Sequence, residues 1–252
     1  MTNNFGSICD DFYFHVHVYT ELDLPQQRDT IMAFFEKIQR QFPSMGFFYR
    51  RKSKEYCLEE DRSGSQCRWV TLEPNCISSG VVNPADLQDV CCQHRLVLDT
   101  MSYMLGISHL DINCLDVSYT MDFEYYGNHD EVIAEALFDS TPLNCLLDLP
   151  SAVPIGGFSP SIVIGLAEDC RTQARINIES KTSDCEPWRR KYKSEDAISL
   201  SLTIRQYSRT AEKFDPVKSF EQQYRLVEEL MASKIIPNFV KPLVNAISHK
   251  NY

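Results

Sequence analysis

The sequence predicts an α+β protein in which an antiparallel sheet carries long helices on one face. Several short segments alternate apolar and polar residues, the two-residue period of half-buried strands. Longer segments repeat apolar residues at three- and four-residue steps, the period of amphipathic helices. Strands occur in runs separated by helices, which is typical of antiparallel sheets covered on one side.

The N-terminal elements follow in order. Residues 12–18 alternate and predict the first strand, and a helix is predicted from about Pro25 until Pro43 ends it. Short strands are then predicted at Gly46–Arg51, Glu55–Glu59 and Cys67–Glu73.

The second helix has the clearest signals. Asn83 is predicted to cap it, Pro84 to lie in its first turn, and Gly106 to end it. A long strand over residues 115–125 follows directly, with alternating apolar and polar side chains.

The C-terminal elements begin after a short helix, His129–Phe138, and an irregular stretch over residues 139–160. Strands are predicted at Ser161–Glu168, Thr172–Thr182 and Ala197–Tyr207. A helix opens at Asp215–Pro216, is predicted to break at Pro237, and resumes towards Ile247.

This order suggests an N-terminal α+β half (1–138), a connector (139–160) and a C-terminal α+β half (161–252), or one continuous domain. Each half runs through strands into a long helix that begins Asn-Pro or Asp-Pro. His94–Val97 and Tyr224–Val227 also resemble each other within those helices. The sequence therefore predicts a pseudo-duplicated unit of strands followed by a helix.

The acidic composition argues against two classes of protein, those that bind nucleic acid and those that bind anionic membranes. A net charge of −10 and a pI near 5.1 argue against nucleic acid or an anionic membrane as the main partner. The start of the chain has neither basic residues nor an apolar run, so we expect a cytoplasmic protein. None of the ten cysteines forms a C-x-x-C pair, which favours structural thiols over a zinc or redox motif.

His15 and His17 are the first candidates for chemistry, because residues two apart on a strand share a face. With Asp116, Asp122 or Glu124 on a neighbouring strand they could hold zinc, iron or manganese, or act in acid–base chemistry. The sequence places no third ligand. Another partial metal set, Cys91, Cys92 and His94, diverges on a helix, so we expect no metal site and no cofactor.

The polar side of the sheet is a candidate binding face, either for a protein or peptide partner or for self-association, and a face that is simply solvated is an equally good interpretation. Cross-strand charge pairs are expected there among Arg175, Glu179 and Arg205. The face comprises Tyr13, His15, His17, Asp116, Ser118, Asp122, Arg175, Glu179 and Arg205.

Two further segments are weaker candidates. Ser159–Pro160–Ser161, after Gly156–Gly157, resembles a phosphate-binding loop but precedes a strand rather than a helix. The basic and aromatic cluster Trp188–Lys193 has the composition of a nucleic-acid contact, yet acidic residues flank it, and a hairpin tip is the better interpretation.

Gln41–Phe42–Pro43 and the segment from Trp69 to Tyr125 resemble a sporadically distributed family of uncharacterised bacterial proteins. The repeated strands-then-helix order is also similar to the SecB-like export chaperone fold. That resemblance implies oligomerisation or binding of extended polypeptide without a cofactor.

Two functions therefore remain open. The favoured one is a cofactor-free binding or scaffolding module that uses the polar sheet face or the groove between the halves. The alternative is a metal-dependent or acid–base enzyme built on His15 and His17 with nearby carboxylates. No residue is assigned as catalytic, and the protein is not expected to contact a membrane.

Overall fold

A computed structural model describes residues 5–146, 158–180, 197–208 and 213–250. The described strands form one nine-stranded sheet with the order β2-β3-β4-β5-β1-β6-β9-β8-β7, in which all paired strands are antiparallel. The strands are β1 (Asp11–Thr20), β2 (Phe47–Arg50), β3 (Tyr56–Glu59), β4 (Cys67–Glu73), β5 (Cys76–Val82), β6 (Ile112–Glu124), β7 (Ser161–Gly165), β8 (Thr172–Glu179) and β9 (Ala197–Tyr207). The predicted α+β class is confirmed.

The long helices pack on one face of this sheet. The fourth helix contacts β6 and β9, the second contacts β5 and the fourth, and the first packs on the second. Their bounds are α1 (Arg28–Gln41), α2 (Leu87–Met104), α3 (His129–Phe138), α4 (Pro216–Leu230) and α5 (Lys241–Lys250). The opposite face of the sheet carries polar side chains.

The core lies between the helices and the apolar face of the sheet. Every second residue of β1, from Phe12 to Val18, is buried there, as the alternating sequence predicted. The ring of Phe14 lies 4.7 Å from His94 on α2, 4.9 Å from Tyr119 on β6 and 5.7 Å from Tyr224 on α4, measured between centroids. These contacts pack β1 against one helix before the 139–160 connector and one helix after it.

β5 was not predicted, because its sequence lacks the alternation of a half-buried strand. Ser78 and Gly80 face the polar side of the sheet, whereas Ser79 faces the helices. Ser79 is buried because its hydroxyl lies 2.9 Å from His94 Nδ1 and accepts a hydrogen bond from Gln93 Nε2 at 3.0 Å. Ser79 therefore has hydrogen-bond partners on α2 although it lies on the apolar side. Because polar and small residues occupy both faces of the strand, its sequence resembles a polar loop.

The predicted cap of α2 is wrong. Asp86, rather than Asn83, caps the helix by accepting a hydrogen bond from the Gln88 N–H at 3.1 Å. Asn83 has a φ of 46° and directly follows β5, beside the start of β1, where its side chain accepts from the Phe12 N–H and donates to Asp11. Asparagine tolerates this left-handed conformation better than most residues.

The predicted break at Pro237 is also wrong. The chain continues from α4 through a π-helical segment, Met231–Val240, into α5. The N–H of Lys241 bonds the carbonyl of Ile236, five residues back, so the wider turn carries the helix past a residue that lacks its own N–H. By contrast, Asp215 caps α4 and Pro216 opens it, as predicted.

β9 pairs along its whole length with β6, from Cys114 to Glu124, and this pairing joins the strands on either side of the 139–160 connector into one sheet. β1 and β6 lie side by side at its centre, and each is followed by a helix. The pseudo-duplication stays a prediction.

Nine cysteines in the described ranges carry free thiols, and Cys185 lies outside those ranges. Burial raises the pKa of most of these thiols. The pKa of Cys91 is raised to about 11 and that of Cys76 to about 12. None of the helices in these ranges has the length and apolar character that a bilayer crossing requires.

Candidate functional site

All the residues of the predicted binding face lie on the polar side of the sheet. Opposed residues in an antiparallel pair share a face, and the register sets His15 opposite Ser118 and His17 opposite Asp116. Asp116 in turn opposes Arg205, Thr203 opposes both Ser118 and Arg175, and Ser199 opposes both Asp122 and Glu179. Tyr13 is two residues before His15 on β1. The pattern of alternation thus brought these side chains together correctly.

An ion pair lies at the centre of this face. Arg205 Nε donates to Asp116 Oδ1 at 2.7 Å, and its Nη2 donates to Oδ2 at 2.5 Å, which is the bidentate geometry that arginine forms with carboxylates. The guanidinium also lies 5.3 Å from the ring of Tyr19 and 5.8 Å from that of Tyr207. Both oxygens of Asp116 are therefore occupied.

This pairing differs from the expected charge pairs among Arg175, Glu179 and Arg205. Arg205 pairs with β6 instead of with Glu179, because Asp116 is directly opposite it. Arg175 donates to Gln173 Oε1 at 3.0 Å and to the hydroxyl of Tyr207 at 3.1 Å.

The rings of His15 and His17 lie edge to face, with centroids 5.0 Å apart. Burial lowers the pKa of His15 to about 3, and the neighbouring His17 adds to the effect. Burial also lowers the pKa of His17, opposed by Asp116. The described residues hold no group of three or more His, Cys, Asp or Glu side chains placed to bind a metal ion.

The second partial metal set, on α2, diverges as predicted. Cys91 and His94 are buried on the helix side of the sheet, whereas Cys92 is exposed. Burial lowers the pKa of His94 to about 3. Its neighbours are Ser79 and the rings of Phe14 and Phe220, so its surroundings are those of a core histidine.

A cavity of about 540 Å³ opens on the polar face over β1, β3, β4 and β5. We call it the Trp69 cavity. Its walls include Asp11, Tyr13, His17, Arg51, Glu55, Glu59, Arg62, Trp69, Thr71, Glu73 and Ser78. Two of the predicted face residues, Tyr13 and His17, therefore line a concave site.

Gly80 sets the position of the Trp69 indole. The two residues are opposed in the β4–β5 pair, and a Cβ on Gly80 would lie 2.1 Å from Trp69 Cζ2. The indole therefore lies flat across the backbone of Gly80, beside His15, which opposes Gly80 from β1. A large aromatic surface is thus held against the floor of the cavity.

The charges of the Trp69 cavity do not balance. Arg51 pairs with Glu55 at 3.0 Å, and Arg62 pairs with Glu59 at 2.7 Å. Asp11 accepts a hydrogen bond from the neutral amide of Asn83 at 2.6 Å, and no ion pair within the described ranges neutralises Glu73. Burial raises the pKa of Glu73, the negative charge of Glu55 adds to this, and the positive charge of Arg51 only partly opposes it. The cavity is therefore net acidic.

Sequence reasoning missed Trp69, Glu73 and Gly80 as site residues. The signal was present in part, because Trp69, Thr71 and Glu73 share one face of a correctly predicted strand. The pairing of that strand with β5 and β1 was needed to place them beside His17. Because β5 was not predicted, the sequence could not show that Trp69 and Glu73 lie near His17.

Replacing Gly80 tests the packing of the indole. We expect Gly80→Ala to lower the free energy of unfolding by about 1–3 kcal/mol, because the added methyl group displaces Trp69. Urea unfolding would measure this loss. Gly46→Ala is the matched control, since its Cβ would meet no atom within 4 Å, and a change within about 0.5 kcal/mol is expected. Equal stabilities of the two variants would contradict the tight contact.

The structure describes only part of the remaining sequence candidates. Ser161 begins β7, so the residues after the predicted phosphate loop form a strand. Gly156–Gly157 and Trp188–Lys193 lie outside the described residues.

Comparisons with known proteins give little further guidance. Neither a protein-family model nor a curated protein matches the chain. One similar solved structure is the di-domain ARO/CYC protein BexL from the BE-7585A biosynthetic pathway. The alignment covers 93% of this chain and 98% of that one, with 8% identity and a TM-score of 0.21. Such a low similarity identifies neither family nor function.

Proposed function

We propose that this protein is a binding module that holds a basic segment of a protein or peptide partner in the Trp69 cavity. The observation that carries the proposal is the combination of a half-buried tryptophan with two carboxylates, Asp11 and Glu73, that form no ion pair with any described residue, in one concavity of the polar sheet face.

The charge of the cavity favours a cationic ligand. Its two arginines are engaged with Glu55 and Glu59, so they offer little to an anion. Glu73 and Asp11 remain to attract an ammonium or guanidinium group. A cation next to Glu73 would also favour its charged form, which burial disfavours.

The aromatic groups favour the same ligand. A lysine or arginine side chain can place its charge over an indole face, which contributes about 0.5–1 kcal/mol at an exposed site. The imidazole of His17 has a lowered pKa, so a neutral ring rather than a competing cation lines the cavity. The methylene groups of the ligand would pack against these rings.

A fluorescence titration tests the proposal. The full chain carries two tryptophans, so Trp188→Phe leaves Trp69 as the sole reporter. We expect tetralysine to change the Trp69 emission in a saturable way and tetraglutamate to have no effect. Glu73→Gln should weaken tetralysine binding about three- to tenfold, because it removes an unpaired carboxylate from the cavity.

Glu179→Gln is the control for this titration, since it removes an exposed carboxylate of β8 on the same face but outside the cavity. Its affinity for tetralysine should equal that of the parent. Saturable binding that Glu73→Gln and Glu179→Gln weaken equally would indicate attraction to the net charge alone. Either that result or the absence of binding would refute the proposal.

A further inference from the structure

β7 is an edge strand with an unusual degree of exposure. It pairs with β8, and it ends the strand order of the sheet. Ile162 is 41% exposed, Val163 53% and Ile164 46%, and no described residue covers them. A row of backbone groups next to three exposed apolar side chains can pair with another strand.

The hydrogen bonds to β8 show which backbone groups of β7 face outwards. The N–H of Leu166 bonds the carbonyl of Thr172 at 2.8 Å, and the carbonyl of Pro160 accepts from Ile178 at 3.0 Å. Even-numbered residues therefore point their backbone groups towards β8. Because these groups alternate along a strand, the N–H and carbonyl groups of Ser161, Val163 and Gly165 point away from the sheet.

The two edges of the sheet differ in their protection. The β2 edge also exposes apolar rings, Phe47 at 53% and Phe48 at 41%, but it ends in the basic run Arg50–Arg51–Lys52, and Phe48 lies next to Phe35 of α1 with ring centroids 5.3 Å apart. Charged residues and covering helices are the devices that normally block edge pairing. Ser161–Gly165 contains no charged residue and no proline.

We infer that β7 pairs with β7 of a second copy of this chain, antiparallel about a twofold axis through Val163. The strand reads small, Ile, Val, Ile, small from either end, so it is complementary to itself. Ser161 then lies opposite Gly165 of the partner subunit, and Ile162 opposite Ile164 of the partner subunit. Every outward backbone group of the strand gains a partner, and the apolar side chains cover one another.

This self-complementarity identifies a second copy as the occupant. The pairing brings no like charges together, even though each chain carries a net charge of −10. A five-residue strand buries less area than a standard interface of roughly 1,600 Å². The dimer is therefore expected to dissociate in the micromolar range and not to be permanent.

Sedimentation velocity on the full chain between about 1 and 100 μM tests the inference, because it gives the dissociation constant of the dimer. The wild type should shift from monomer to dimer across this range. Val163→Lys sets two ammonium groups opposite each other on the twofold axis and should raise the dissociation constant by about a hundredfold or more. Leu110→Lys changes an exposed leucine in the turn before β6 and should leave it unchanged.

A wild type that stays monomeric at every concentration would overturn the inference, as would equal dimerisation of the Val163→Lys and wild-type chains. Circular dichroism confirms that both lysine variants are folded before the comparison.

The register has its own test. Cα atoms of a hydrogen-bonded antiparallel pair lie about 5.5 Å apart, within disulfide range. The exposed cysteines Cys92, Cys145 and Cys170 are first changed to serine. In this background we expect Val163→Cys to form a disulfide on oxidation that links the two copies at position 163. Peptide mapping would identify the linkage. A dimer that yields no such linkage, or a linkage elsewhere, would refute pairing through β7.

Discussion

Arg205→Met is expected to lower the free energy of unfolding by about 3–5 kcal/mol, the usual cost of removing one partner of a buried ion pair. Asp116 is 4% exposed, so without the guanidinium its charge would remain inside the protein with no counter-ion. Methionine keeps the unbranched stem of the side chain, so the loss reports chiefly on charge. Urea unfolding at pH 7 would measure it.

Two variants control for this result. Asp116→Asn combined with Arg205→Met removes both charges, and it should recover much of the stability that the single change loses. Arg95→Met breaks the exposed pair with Glu221, whose atoms lie 3.1 Å apart, and should cost less than about 1 kcal/mol. A similar loss for Arg205→Met and Arg95→Met would show that the central ion pair is screened by solvent.

Acid is expected to destabilise the protein well before its carboxylates are protonated. Burial lowers the pKa values of His15 and His94 to about 3, against 6.5 for an unperturbed histidine. The unfolded chain therefore binds more protons than the folded one between these values, and the free energy of unfolding falls as the pH decreases below 6.5. Below about pH 3 both states are protonated, and this contribution becomes constant.

The size of the effect follows from the shift. By pH 5 a histidine with these two pKa values costs up to about 2 kcal/mol of stability. His94 is fully buried and should contribute in full. His15 is half-buried on the polar face, where solvent screens its charge, and should contribute less.

Urea unfolding between pH 7 and pH 5 would measure this dependence. His15→Gln should make the decrease in stability shallower, whereas His249→Gln, at an exposed position in α5, should leave it as in the wild type. If the His15→Gln profile matched that of the wild type, proton uptake at His15 would not contribute to acid unfolding.

Most of the sheet could be predicted from the sequence because its strands have one polar and one apolar side. The positions of β4, β9 and α3 agree with the prediction, and the histidines of β1 share a face with Asp116 and Arg205. In these strands the apolar residues of the two-residue period are the buried ones, so the sequence pattern predicts the face on which each side chain lies.

The failures occur where tertiary partners replace the usual periodicity. Ser79 is buried against His94 and Gln93, so β5 shows no alternation. Asn83 precedes a proline and resembles a helix cap, but it lies in a left-handed turn at the end of β5, where its side chain bonds the first residues of β1. Glu73 and Trp69 were assigned to a strand without a role, because strand order is set by pairings that span the chain.

The central pairing of β1 with β6 has a consequence for biosynthesis. Phe14 and its partner Tyr119 are about a hundred residues apart in the chain. One edge of β1 therefore stays unpaired during synthesis until β6 has been made. Contacts of such long sequence separation slow folding, typically to milliseconds or seconds. During synthesis the nascent chain therefore exposes a strand rich in phenylalanine and valine, a kind of surface that is prone to aggregation before its partner strand is made.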